Sequence, residues 1–217
     1  DRLIRNDIKP LTSEDSVKFA LEMMDEMKIA HLPVLEKEVY IGLISENDLL
    51  DGFDHDLTIK EGSSKIIRVF IPETQHVFDA IKLIGELKLS VLPVLNDKEE
   101  YMGYLNPLDI IQNMGQMLSF NSPGGVIILT INNNDFFMSQ IAQIVESGDA
   151  KILASYLTSN DNSSQIEVTL KINRTDLSSI IQSFKRYEYS VTGIFHESSD
   201  EMDLKFRYEN FIKYLNI

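Results

Sequence analysis

Two turns hold the side chains of this sequence whose types and spacing could do chemistry. The first reads Gly42-Leu43-Ile44-Ser45-Glu46-Asn47-Asp48, and the second, sixty-one residues on, reads Gly103-Tyr104-Leu105-Asn106-Pro107-Leu108-Asp109. The chemistry on offer is the holding of a ribose or a phosphate. Glycine permits close backbone approach, and the Ser45 hydroxyl can hydrogen-bond. A helix starting there points unpaired N–H groups and its positive dipole end at a ligand. Asp48, one turn in, could accept from two ribose hydroxyls. The same residues also suit plain helix capping, with Ser45 as N-cap and Asp48 as first-turn acid, worth roughly 1–2 kcal/mol together. Asn106 replaces Ser45 in the second turn, and Asn is also a good cap.

Other chemistries find no residues. His31, His55, His76 and His196 have no ligand-spaced partners, so no metal site is expected. No Ser/His/Asp or lysine nucleophile constellation, Walker loop or Gly-x-Gly-x-x-Gly occurs, so no catalytic residue is named. With no cysteine, disulfides and thiolate metal sites are excluded.

The elements that position the two turns come as a repeat. A sixty-residue shift lays Val17 on Val77, Ala20 on Ala80, Met24 on Ile84, Lys28 on Lys88 and Pro33 on Pro93. One extra residue in the turn at Asn96–Glu100 then moves the offset to sixty-one. Such self-similarity marks one supersecondary unit used twice, each copy too small to bury its own apolar face. In the first copy, an extended lead-in at Ile8–Leu11 and cap candidates at Ser13–Ser16 precede a helix carrying Val17, Ala20, Met24 and Met27. Strands at 32–35 and 39–44 form a hairpin, and a short helix follows Ser45. The second copy predicts a helix over 75–88, strands at 91–95 and 101–105, and a helix from Pro107 to about Leu118. The order per copy is βαββα.

Composition limits what the repeat can serve. The net charge is −14, and the first 120 residues are the more acidic part, with 12 basic residues against 22 acidic ones. Nucleic acids and anionic membranes need basic clusters, which the chain lacks, so neither is an expected partner. No run of eighteen apolar residues and no charged-then-apolar leader occurs. The expectation is a soluble, cytoplasmic protein.

With two βαββα units, an x-Leu-Pro-Val-x strand in each and the Gly-x-x-Ser-x-x-Asp turn, residues 1–118 resemble a tandem CBS-domain pair, or Bateman module. The resemblance implies copies at 1–58 and 59–120 arranged about a pseudo-two-fold axis, frequent dimerisation, and clefts that bind AMP, ATP or S-adenosylmethionine. By that resemblance the first cleft would draw on Ile8, Pro10, Leu11, His31, Leu32 and Pro33 together with Ser45 and Asp48. The second would draw on Val91, Pro93, Asn106 and Asp109. Read from the residues alone, the Leu-Pro-Val strands are core strands before they are the wall of a cleft. Low local basicity favours a monophosphate or an uncharged adenosyl group over ATP, with Lys28 and Lys88 the nearby cations.

Asn121-Ser122-Pro123-Gly124-Gly125 reads as a linker. Beyond it come a strand at 126–131, a helix over 135–147 stopped by Gly148, strands at 152–159 and 165–172, a helix over 175–187 capped by Thr175, and a strand at 190–195. That βαββαβ order is ferredoxin-like, which makes the whole chain α+β. Residues 126–199 resemble an ACT domain, a regulatory unit that often binds amino acids between paired copies. Aligned to the family's Asp-x-Pro-Gly-like turn, Asn133 replaces the Asp and Phe136 the Gly, and Lys151 stands where the next strand opens with Asn. Pairing is therefore favoured over amino-acid binding. The tail, 200–217, is expected to be helical, and its Phe206, Tyr208, Phe211, Ile212, Tyr214 and Leu215 call for a covering surface.

The combination is similar to CBS/ACT proteins of the acetoin-utilisation type. The expected function is a non-catalytic sensor for an adenosine derivative, with no required cofactor, a homodimeric state and a regulated protein partner not named by the sequence. The alternatives are an assembly module with empty clefts and an amino-acid sensor at the ACT-like domain.

Overall fold

Helical and strand periodicity account for most of what forms. The computed structural model describes residues 3–51, 57–61, 65–159 and 164–196. The chain divides into two compact units, Asp1–Asn113 and Met114–Ile217.

In the first unit β1 (Ile4–Arg5) and β2 (Leu11–Thr12) lead into α1 (Val17–Met27), β3 (His31–Glu36), β4 (Val39–Ser45) and α2 (Glu46–Leu50). The second copy supplies β5 (Ile71–Pro72), α3 (Val77–Leu87), β6 (Leu92–Leu95), β7 (Tyr101–Leu105) and α4 (Pro107–Met117), whose last turn passes the unit boundary. Ser16 caps α1 by accepting from the Phe19 N–H at 3.1 Å. His76, sixty residues on, does the same for α3, its Nδ1 accepting from the Phe78 N–H at 3.3 Å. Lys28 and Lys88 end α1 and α3 in the left-handed conformation, φ 55° and 53°. Lys28 is thus a helix terminator whose ammonium pairs with Asp25 at 2.7 Å on the surface, not a cation of the strand that follows.

Each copy contributes a parallel pair, β2–β3 or β5–β6, and an antiparallel hairpin, β3–β4 or β6–β7. The lead-in segments cross over. β1 pairs with β7 of the second copy, so that sheet runs β1-β7-β6-β5. Ile67, in the lead-in of the second copy, pairs with Leu43 of β4 through N–H···O bonds of 2.8 and 3.0 Å. Gly42 and Gly103 face these crossings. A Cβ on Gly42 would come within 2.6 Å of the Ile67 carbonyl oxygen, and Gly103 (φ +136°) lies just as tightly against Arg5. The closeness that glycine allows in these two turns is therefore taken up by the chain's own backbone, not by a ligand.

The copies meet about a local two-fold. Val39 bridges Glu100, its own sixty-one-residue equivalent, and the Tyr40 and Tyr101 rings stack with centroids 6.1 Å apart. Nearby, Ser90 Oγ accepts from the Ala30 N–H at 3.0 Å, and His31 Nδ1 accepts from the Ser90 N–H at 3.2 Å.

The second unit holds β8 (Gly125–Asn132), a 3-10 turn (Asn133–Asp135), α5 (Met138–Ser147), β9 (Ile152–Ser159), β10 (Gln165–Ile172), α6 (Ser178–Arg186) and β11 (Ser190–His196). Its sheet is antiparallel in the order β11-β8-β10-β9. Burial alternates along β8, which turns Ile127, Leu129 and Ile131 toward α5 and α6. The glycines of the expected linker belong to this unit. Gly125 opens β8, and a Cβ on Gly124 would strike the Ile172 carbonyl. The 3-10 turn, whose Asn133 N–H donates to Ser164 O at 2.9 Å, delays α5 to Met138. Thr175 is not the cap of α6, which begins at Ser178, where Asp176 Oδ1 accepts the Ser178 N–H at 3.0 Å. The tail at 200–217 lies outside the described residues.

Candidate ligand-binding site

β4 runs straight into α2, and that junction sets the first site. Ser45 Oγ accepts from the Asp48 N–H at 3.1 Å and donates to Asp48 Oδ2 at 2.6 Å, so cap and acid form one closed pair. His31 lies opposite Ser45 in the β3–β4 register. Burial pulls the His31 imidazole pKa below its usual range, and the Asp48 charge opposes that shift. Lys65, reached through the crossed lead-in, completes the group. Its ammonium donates to the Asp48 carbonyl at 3.3 Å and lies 3.8 Å from Asp48 Oδ1.

The second site repeats this plan with different groups. Asn106 Oδ1 accepts from the Leu108 N–H at 2.8 Å, capping α4. Asp109 meets Arg5, whose Nη1 lies 3.4 Å from Oδ2. Arg5 also forks onto Asp7 at 2.6 and 3.1 Å, and Tyr104 donates to Asp7 at 2.7 Å. The hydrogen bonds from Arg5 and then Tyr104 hold the Asp7 carboxyl down at about 2. The same contact with Asp7 raises the Arg5 guanidinium further above its already high value. Burial, reinforced by the bond to Asp7, pushes the Tyr104 phenol up.

Arg5 and Lys65 are therefore equivalent: each crosses to the other copy and meets the aspartate that opens its helix. Sequence reasoning that weighed local basicity missed both. The signal was present, because Arg5 falls on Lys65 under the sixty-residue shift.

The remaining candidates divide by burial. Ile8, Leu11, Leu32 and Val91 lie in the core at 3% exposure or less, and Pro33 and Pro93 are also buried. Pro10 is half-buried. These residues fix the strands that carry the sites and form the backing of the walls. In the second copy a cavity of about 360 Å³ opens between β1, β5 and the start of α3. Ile4, Ile71 and Val94 line its apolar side, and Gln75, His76 and Asn113 supply polar groups. Asn113 lies one turn beyond Asp109 on α4, on the same helix face. Ile71 was not singled out in the sequence, although it is the sixty-residue equivalent of Leu11. Such a slot suits a flat ring edged by hydrogen bonds. Among the described residues no group of three His, Asp or Glu could hold a metal ion, and no helix is long and apolar enough to cross a membrane.

A family model described as CBS domain matches residues 2–55 and 64–115, so these two stretches are CBS domains in tandem. The chain is 26% identical over 110 residues to an inosine-5'-monophosphate dehydrogenase of Korarchaeum cryptofilum, covering 51% of this chain and 23% of that protein. It is 24% identical over 113 residues to the enzyme of the same name from Methanocaldococcus jannaschii, covering 52% and 23%. The match thus spans about a quarter of the length of these curated relatives. Among solved structures, a CBS domain pair/ACT domain protein of Thermotoga maritima is similar over 54% of this chain and 96% of its own, at 20% identity and a TM-score of 0.48. CBSX2 in complex with AMP is similar over 53% and 94%, at 21% identity and a TM-score of 0.45.

Proposed function

We propose, from the tandem CBS domains at residues 2–55 and 64–115, that this protein is a non-catalytic sensor of an adenosine derivative carrying at most one phosphate. The observation that carries this reading is the crossed pairing of Lys65 with Asp48 and of Arg5 with Asp109. Each site then holds one carboxylate able to accept from ribose hydroxyls and one cation for a phosphate. A single cation suits a monophosphate such as AMP, or the sulfonium-bearing adenosyl group of S-adenosylmethionine through the carboxylate, better than ATP. Because cation and carboxylate come from different copies, a ligand that engages both ties the copies together. It shifts their arrangement by no more than its differential affinity for the two states.

The second unit is read as ACT-like, serving pairing within a homodimer or relay to a regulated protein partner. Phe136 packs against its core where amino-acid-binding relatives of that family need glycine, which supports pairing over amino-acid capture. The combination is read as resembling the acetoin-utilisation type, and a cytoplasmic location fits the cysteine-free sequence. A second reading, an assembly module with empty clefts, is favoured by one observation: Ser45 and Asp48 already satisfy each other.

Titration calorimetry and thermal shift with AMP, ATP and S-adenosylmethionine separate the readings. The sensor reading expects stabilisation that grows with ligand concentration, about 2.7 kcal/mol at a hundredfold excess over Kd. Asp48→Ala and Asp109→Ala should each weaken it while the far-UV spectrum is kept. No response from any adenosyl compound in the wild-type chain would favour the assembly reading.

A further inference from the structure

The two clefts of the CBS pair are not equally open. In the second copy Glu73, Gln75, His76 and Val77 line the cavity at the start of α3. Their sixty-residue equivalents at the start of α1 are Ser13, Asp15, Ser16 and Val17. Each of these is less exposed than its counterpart, and Val17 is fully buried whereas Val77 is half-buried. What covers them is a stretch of the chain itself. The Val17 N–H donates to the Leu57 carbonyl at 2.9 Å, the Ile59 N–H to the Asp15 carbonyl at 2.9 Å and the Lys60 N–H to the Ser13 carbonyl at 2.8 Å. Thr58 bridges Ser16 between these bonds, and Ile59 is 0% exposed.

The stretch 57–61 is held lightly. Ile59 is its one buried side chain, while Leu57, Lys60 and Glu61 are exposed and Thr58 is half-buried. Its ion pair, Lys60 with Glu14 at 3.6 Å, lies on the surface. Its turn is closed by the Glu61 carboxylate, which accepts from the Thr58 N–H at 2.8 Å and from the Thr58 hydroxyl at 2.9 Å. Segments with few buried apolar contacts open at the low end of a protein's range of local stability. We propose that residues 57–60 are a strap that fills the first cleft with Ile59, so that a ligand enters the second cleft freely and the first only by displacing the strap. A strap that must open lowers the apparent affinity by the fraction of molecules in which it is open. The sites therefore fill in order, second copy first, and occupancy of the first is signalled by release of 57–60. The order of filling rests on the sensor reading above, whereas the strap does not.

Because the sequence has no cysteine, one introduced thiol reports access to each cleft. Full chains carrying Val17→Cys or Val77→Cys are reacted with methyl methanethiosulfonate under native conditions, without ligand. The thiol at position 17 should react about tenfold more slowly than that at 77, or slower still, and equal rates would overturn the strap. Adding Ile59→Ala to Val17→Cys should speed its reaction by about 30-fold or more, because the loss of a buried isoleucine falls on the strap alone. Met24→Cys, buried in the second half of α1, controls for general loosening, and its rate should not change with Ile59→Ala. No acceleration at position 17 would mean that Ile59 does not cover the cleft, and equal acceleration at 17 and 24 that it belongs to the core of the unit; either result overturns the strap. Calorimetry with AMP then reads the order of filling. The wild-type chain should show one tight and one weak site. Ile59→Ala should tighten only the weak site, by about the same 30-fold, and Asp48→Ala added to it should abolish that gain. A weak site unchanged by Ile59→Ala would overturn the gating. AMP binding by neither chain would overturn the ordered filling together with the sensor reading, and the thiol rates would still decide the strap.

Discussion

Gly42→Ala is expected to detach the crossed lead-in from the first CBS sheet and to destabilise the first unit by about 2–6 kcal/mol. The added Cβ would lie 2.5 Å from Ile66 Cγ2 and 2.6 Å from the Ile67 carbonyl oxygen. A side-chain methyl can swing aside, but the carbonyl belongs to backbone already bonded to Leu43 in both directions. Relief therefore requires the two strands to part. Two backbone hydrogen bonds are lost at roughly 0.5–1.5 kcal/mol each, and residual backbone strain adds roughly 1–3 kcal/mol. Gly85→Ala is the internal control. Gly85 is exposed in α3 and an added Cβ there meets nothing within 4 Å, so this substitution should stabilise by about 0.5–1 kcal/mol. Hydrogen exchange at the Leu43 and Ile67 amides reads the effect locally, since a loss of 2 kcal/mol speeds opening by about 30-fold. Urea midpoints for the two variants read it globally. A Gly42→Ala midpoint within about 0.5 kcal/mol of wild type, the usual range for surface substitutions, would refute the reasoning, because the crossing would then not depend on the missing side chain.

Other outcomes follow from the contact between the copies. Tyr40 donates to the Val69 carbonyl at 2.6 Å, whereas the buried Tyr101 hydroxyl finds no hydrogen-bond partner among the described residues. Tyr40→Phe should cost about 1 kcal/mol, and Tyr101→Phe should be neutral or stabilising, as urea titrations of the pair will show. His31 has a lowered pKa in the folded chain, so the unfolded chain binds its proton first. Its contribution to stability is full above the ordinary histidine value of about 6.5 and declines as pH falls below it. Protonation at Nδ1 would also take the acceptor from the Ser90 N–H. Wild type should therefore lose more stability between neutral and mildly acidic pH than His31→Gln, and parallel pH profiles would contradict the assignment.

Much of the architecture was legible because its signals are local. The apolar spacing of Val17, Ala20 and Met24, the hairpin around Leu-Pro-Val and the capping serine Ser45 each act over a few residues, and the structure places them as helix, strands and cap. Boundaries slipped where two local signals competed. At the start of α6, Thr175 and Asp176 are both capping types, and only the hydrogen bond from Ser178 distinguishes them. At α5 a 3-10 turn precedes the helix although the sequence offers an acidic residue, Asp135, in the place of a cap.

By itself the sequence determined the twofold repeat, most of the elements of its two copies, and the pair of turns that present Asp48 and Asp109, but not β1, which pairs with β7. Periodicity, capping and internal self-similarity are properties of neighbouring residues and of a fixed offset, so one chain suffices to read them. The tertiary structure decided which copy supplies the cation at each aspartate, why Gly42 and Gly103 are glycine, and that Leu32 and Val91 are packed inside. Those outcomes depend on segments such as Arg5 and Asp109, 104 residues apart, choosing each other's sheet. Every residue type except proline offers the same backbone donor and acceptor, so a strand crossing from one copy to the other leaves almost no mark on the sequence that makes it.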